Sequence, residues 1–405
     1  MTGQPAPDPI EPPGALDGLK VVELASEHAA FAGKLLAGLG AEVTLVEPPG
    51  GAPMRWYEPF VDDVPDPTRS LWWWHYEQGK HGVTVDLDDA SGAAEFRRLC
   101  ADADVVVEGE PPGRLAALGL DHAQLRAGHE ELIWVSVTPF GRDNPRAHEP
   151  VVDLTVLAGG GPVWNCGYDD HAIPPVRGGG NQGYQTASLH AVVATLVALL
   201  VRDETGTGQH VDVSMHAAAN VTTEAGSYSW LVARQTVQRQ TCRHAAVRPT
   251  QGTITLDREG RFVPTGIPPR SGKEFHVLLE WLASHGWRDE FPEAFFLQMG
   301  ADRGGVNFAD IATDPEVAAI FGAARDALIF IAERLTAYEF FVEGQQRGLP
   351  LPVVYAPEEV MHDPHYRARG FPVPVWHEEL GRAVEYTGAP FHMHGSPWRL
   401  DTPAP

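Results

Sequence analysis

The sequence predicts an α/β fold, with a Rossmann-like large domain and a smaller second domain. Three observations carry this. Strand, helix and strand follow one another within about 30 residues near the N-terminus, which is a βαβ unit and implies a parallel sheet. Buried strands and helical stretches then keep alternating as far as TPFG at 138–141. The chain has 405 residues, more than one hydrophobic core usually organises.

The elements read in order. Residues 1–14 are proline-rich and are read as a mobile arm. In LDGLKVVELA the apolar run of Val21, Val22 and Leu24 reads as a buried strand. HAAFAGKLLAGLGA reads as a helix, and AEVTLVEPP as a strand stopped by Pro48 and Pro49. HGVTVDLDD is a strand, and SGAAEFRRLCADA a helix opened by Ser91 as N-cap. DVVVEGEPPG and LIWVSVTPFG are further strands. From 151 to 183, glycine and turn residues dominate. TASLHAVVATLVALLVRD is a core helix, read as too short and too polar at its flanks to span a bilayer. TGTGQHVDVSMHAAAN gives a turn, a strand and a helix start. TITLDREGRFVPTG reads as a hairpin turning at Asp257–Gly260. HVLLEWLASHG and AAIFGAARDALIFIAERL read as amphipathic helices. The organisation expected is a large domain over 15–224, a small domain over 225–345, and a return segment over 346–405.

Composition narrows function. Lys+Arg total 30 against 54 Asp+Glu, a net charge of −24. Such a surface repels nucleic acid and anionic lipid, so neither nucleic acid nor membrane is expected as a partner. An anionic ligand would need a local basic pocket. Lysine is scarce: Lys20, Lys34, Lys80 and Lys273 only. Cys100, Cys166 and Cys242 are too few and scattered for a disulfide framework or a thiolate zinc site. The N-terminal residues lack the charge and apolar core of a signal peptide, so a cytoplasmic protein is expected.

Common catalytic signatures are missing. The glycine runs at 159–161 and 178–180 fit neither a Walker loop nor GxGxxG. The first strand–helix turn, ELASEHAAFAGK, has no dinucleotide fingerprint. There is no GxSxG elbow and no HExxH. HDPHY at 362–366 and HMH at 392–394 read as solvated loop histidines, and no metal is expected. WWWHY at 72–76 reads either as a stacking platform or as a lid or subunit interface. With Trp164 it hints at a bulky or aromatic ligand group, by stacking and apolar burial.

An ordered set of segments is more specific: LDGLKVVELA, GAEVTLVEPPG, GKHGVTVDLDD, DVVVEGEPPGRLAALGL, VVDLTVLAGG, ALLVRDETGTGQHVDVSM and VMHDPHYRARGF. Together, from about Leu16 to Pro397, they resemble the class III CoA-transferase (CaiB/BaiF) family. The resemblance implies an α/β large domain, a small domain, an interlocked dimer and a CoA thioester as ligand. It implies an aspartate nucleophile passing through an acyl anhydride and an aspartyl-CoA thioester. At that aspartate's position, after Gly183 and six residues before His190, this chain has Tyr184. A phenol has a pKa near about 10 and is a poor nucleophile. The family's glutamine after the first strand is replaced by His28, and the racemase branch's histidine by Pro150.

The resemblance also implies CoA contacts at Lys80 and Arg55, with Arg114 in place of a basic residue expected at Ala117. Three functions are weighed. The first is a transferase moving coenzyme A between an acyl-CoA and a carboxylic acid. The second is a CoA-thioester isomerase, hydratase or lyase using His28, Tyr184 or Asp153 as acid and base. The third is a pseudoenzyme subunit, acting in a heteromer with an aspartate-bearing paralogue rather than as a homodimer.

Overall fold

The computed structural model describes residues 12–400 and 402–405. Most of the arm expected over 1–14 therefore lies outside the described residues. The chain forms two compact units. One holds the chain up to Val163, Arg177–Glu224 and Met361–Pro405; the other holds Trp164–Val176 and Ala225–Val360.

The first unit is built on a six-stranded sheet: β1 (Lys20–Leu24), β2 (Glu42–Glu47), β3 (His81–Thr84), β4 (Val105–Glu108), β5 (Ile133–Thr138) and β6 (His210–Ser214). The order is β3-β2-β1-β4-β5-β6, and every pairing is parallel. Helices cover both faces: α1 (Ala30–Gly38), α2 (Leu71–Glu77), α3 (Ala90–Ala101), α4 (Asp153–Gly160), α5 (Gln182–Thr205) and α6 (Met215–Val221). Val105 and Val107 pack into the core under α1 and α5, while Val106 packs into the core under α3. Burial on both faces explains why the strands read as unbroken apolar runs.

Three local expectations change. The N-cap of α3 is Asp89, not Ser91; its carboxylate accepts from the Ser91 amide at 2.8 Å and the Gly92 amide at 3.4 Å. The stretch read as turn-rich contains α4, whose glycines serve helix packing. A Cβ on Gly160 would lie 2.7 Å from the Ala219 Cβ of α6. Third, α5 runs for 24 residues and is by length and composition long enough to cross a bilayer. Its inner side, including Ala187, Ala191 and Ala198, is buried. Its outer side carries exposed Leu189, Val193, Val197 and Leu200.

The first unit also contains an antiparallel hairpin of Pro372–His377 with Arg382–Thr387. Trp74 of α2 stacks on His377 of this hairpin at 3.9 Å between ring centroids. The second unit packs helices Gly272–Ser284, Ala294–Asp302, Pro315–Ala332 and Ala337–Gln346 around Phe275, Trp281, Ile320 and Phe340. Its hairpin pairs Ile254–Leu256 with Phe262–Pro264, and the Asp257 carboxylate accepts two amides of the turn.

Candidate active site

The strand order reverses between β1 and β4. The chain leaves β1 towards β2 and leaves β4 towards β5, on opposite sides. In parallel α/β sheets, ligands settle in the crevice beyond the carboxyl ends at such a switch point. Here the crevice is flanked by Ala25–His28 after β1 and by Gly109–Glu110 after β4. The two loops approach closely. A Cβ on Gly109 would stand 2.4 Å from Ser26 Oγ and 3.1 Å from the His28 Cβ.

A closed circuit of contacts starts there. The His28 ring meets the Tyr184 ring edge-on, with centroids 5.0 Å apart. Beside His28, the Glu27 carboxylate accepts a hydrogen bond from the Tyr57 hydroxyl. Tyr57 packs edge-on against Trp72 at 5.4 Å, and Trp72 lies against Tyr76 at 4.4 Å. Gln185 Nε2 donates to the Tyr76 hydroxyl at 2.8 Å, and Gln185 adjoins Tyr184 on α5. Among the described residues, three buried polar atoms in this circuit have no partner: His28 Nδ1, Trp72 Nε1 and the Tyr184 hydroxyl. An orphaned buried group costs about 1–3 kcal/mol. Three at one switch point mark this crevice as the candidate site.

Burial sets the charges here. It raises the Glu27 carboxyl above the usual range, the Tyr57 hydrogen bond pulls it down, and the charge of Asp153 raises it again. It lowers His28, against a hydrogen bond to the Gly109 backbone that raises it. It raises the Tyr184 phenol, with Glu27 and Asp153 adding to the effect. Tyr184 is only 3% exposed. It is a neutral hydroxyl, not a nucleophile.

Asp153 lies beside this circuit in a different role. Its Oδ1 accepts from the Gly183 amide at 2.8 Å and the Tyr184 amide at 3.3 Å. Its Oδ2 accepts from Arg177 at 3.1 Å. It therefore satisfies free amides in the first turn of α5, as a capping carboxylate does. Acid–base work would compete with all three bonds.

The basic residues expected at CoA are distributed otherwise. Lys80 has a side chain with no solvent exposure. Its ammonium donates to Glu23 Oε1 at 2.9 Å, Glu77 Oε2 at 2.5 Å and the Ala30 carbonyl at 2.9 Å. All three hydrogens are engaged within the fold, so a CoA contact at Lys80 would have to displace one of these partners. Gly33 of α1 makes room for this group; a Cβ there would lie 1.6 Å from Glu23 Oε2. Arg55 forks onto Glu47 with two bonds of 2.7 Å, and its guanidinium lies 4.0 Å over the Trp73 ring. A CoA contact at Arg55 would likewise compete with Glu47. Arg114 pairs with Asp88 at 2.7 and 2.8 Å but stays 39% exposed. An exposed pair of this kind exchanges partners at little cost. Trp73 and Trp74 are core residues, leaving Trp72 as the member of the run that faces the site.

A cavity of about 620 Å³ opens on the other side of Gln185. Phe31, Leu35, Leu157, Leu189 and Trp398 give it an apolar wall. Lys34 and His75 also line it. Lys34 Nζ donates to the His75 carbonyl at 2.6 Å. Burial, with Lys80 nearby, brings the Lys34 amine down to about 7, and burial brings the His75 ring down to about 3.

Glu27, Tyr57 and Gln185 were not singled out from the sequence. Glu27 carries one sequence signal: it follows the first strand of the βαβ unit, where switch-point loops supply ligand contacts.

The fold and the crevice thus define an α/β protein with a candidate ligand site at the carboxyl end of a parallel sheet. The chain belongs to CoA-transferase family III, which it matches over residues 16–266 and 273–405. It is 31% identical over 388 residues to succinyl-CoA:(R)-benzylsuccinate CoA-transferase subunit BbsE of Thauera aromatica, covering 95% of this chain and 90% of the relative. It is 28% identical over 403 residues to succinyl-CoA–D-citramalate CoA-transferase of Chloroflexus aurantiacus, covering 97% and 91%. The crystal structure of a CAIB/BAIF family protein from Brucella suis superimposes with a TM-score of 0.78 at 26% identity, covering 97% of this chain and 96% of that one.

Proposed function

We propose that this chain acts on acyl-CoA thioesters as a class III CoA-transferase, moving CoA between two carboxylic acids. The observation that carries the reading is the switch-point crevice with its three unpartnered polar atoms, in a chain of this family. Two similar proteins are named as CoA-transferases using succinyl-CoA. The apolar cavity beside Gln185 has room for the body of an acyl group. Of the three basic residues expected at CoA, Arg114 is the most exposed and the best placed to meet CoA phosphates.

A second reading is a subunit that works with an aspartate-bearing paralogue. It is favoured by Tyr184, buried and neutral where the family resemblance places the aspartate. One similar protein is itself named a subunit. The exposed apolar side of α5 supports assembly with a second chain of this or a related sequence.

The test incubates the purified chain with succinyl-CoA and a panel of carboxylic acids, and reads new acyl-CoA species by mass spectrometry. Exchange by the chain alone supports the first reading. Exchange only after adding an aspartate-bearing paralogue supports the second. No exchange in either case sinks both.

A further inference from the structure

We propose that Glu27 is the nucleophilic carboxylate of this chain. The inference rests on the transferase reading and names the group that would perform it. Four observations on the page lead to it. Tyr184 cannot supply a nucleophile, since its hydroxyl is buried and held neutral. Asp153 is occupied by two amides and Arg177. Glu27 instead follows β1 at the switch point and is partly open to solvent. It sits in the circuit that contains the unpartnered His28, Trp72 and Tyr184 atoms.

The surroundings suit the chemistry. The Tyr57 hydroxyl orients the carboxylate. Burial makes Glu27 more basic than a solvated glutamate, and therefore a better nucleophile once ionised. The Trp72 indole N–H and the Tyr184 O–H are two donors without acceptors in the same circuit.

The steps balance without an outside reagent beyond the two substrates. A Glu27 carboxylate oxygen attacks the acyl-CoA carbonyl. A C–O bond forms, the C–S bond breaks, and CoA leaves as thiolate. The thiolate then attacks the Glu27 carbonyl of the mixed anhydride, giving a glutamyl-CoA thioester and the first carboxylate product. The acceptor carboxylate attacks that thioester and expels CoA thiolate. The thiolate attacks the acceptor's carbonyl in the new anhydride, releasing acyl-CoA and free Glu27. No proton is gained or lost overall.

The experiment mixes the chain with succinyl-CoA, quenches with hydroxylamine, and maps hydroxamates by peptide mass spectrometry. A hydroxamate on Glu27 is expected. It should vanish in Glu27→Gln, with exchange falling about a thousandfold or more. Circular dichroism melting of the variant separates this from misfolding, and the mapping on the unaltered chain does not depend on the variant. A hydroxamate elsewhere, or exchange by Glu27→Gln within about tenfold of the parent, overturns the inference while the transferase reading stands. A hydroxamate only on the aspartate of an added paralogue overturns it in favour of the subunit reading. Neither adduct nor exchange under any of these conditions overturns both.

Discussion

The ammonium of Lys80 stands 2.9 Å from Glu23 Oε1 with no solvent at either side chain. Glu77 closes on the same nitrogen from α2. One cation therefore faces two buried carboxyl groups, both raised by burial, Glu23 to about 8. Removing one partner of a buried ion pair costs about 3–5 kcal/mol, because a charge is left uncompensated.

Lys80→Met is accordingly expected to destabilise the chain by about 3–5 kcal/mol in urea unfolding. If the variant unfolds like the parent and loses only CoA affinity, the ammonium is a ligand contact after all.

Tyr184→Phe removes a hydroxyl that bonds to nothing in the free chain. The unfolding free energy should stay within about 0.5 kcal/mol of the parent or rise, since no hydrogen bond is lost. Affinity for an acyl-CoA should fall roughly tenfold if the hydroxyl serves the ligand, by about 1.4 kcal/mol. Isothermal titration beside chemical unfolding reads both. A stability loss above about 1.5 kcal/mol would reveal a partner for the hydroxyl within the fold.

Lys34 gives a pH signature. Its amine ordinarily titrates at 10.5 and is brought down to about 7 by burial. With the folded value below the unfolded one, the neutral form is the one folding prefers. Its contribution is full above 10.5, falls as pH drops, and is gone below about 7. Stability relative to Lys34→Met should therefore rise with pH between 7 and 10.5, by up to about 1.4 kcal/mol per unit. Parallel profiles for the two proteins in denaturant unfolding would contradict this.

The parallel sheet was legible because its strands are apolar on both faces, as in VVVE of β4. The helix α4 was not, because its glycines read as turn signals; the approach of His216 to Gly159 and of Ala219 to Gly160 explains them. Lys80 was conspicuous through the rarity of lysine, yet rarity does not distinguish a ligand contact from a buried ion pair. That distinction depends on Glu23, Gly33 and Glu77, which come from three separate elements. Glu27 escaped notice for a related reason. Nothing local marks it, and its importance appears only when β4 comes to lie beside β1 and Tyr57 and Tyr184 close around it.

Gly33 leaves a further mark. Since any side chain at this position would collide with the Glu23 carboxylate, positions 23, 33, 77 and 80 are not free to drift separately. A lineage that acquired alanine at 33 would have to move or shorten the side chain at 23, leaving Lys80 to balance Glu77 alone. In a set of related sequences these four columns should change hands together, as one inherited unit, while the exposed Glu42 beside them on β2 varies on its own.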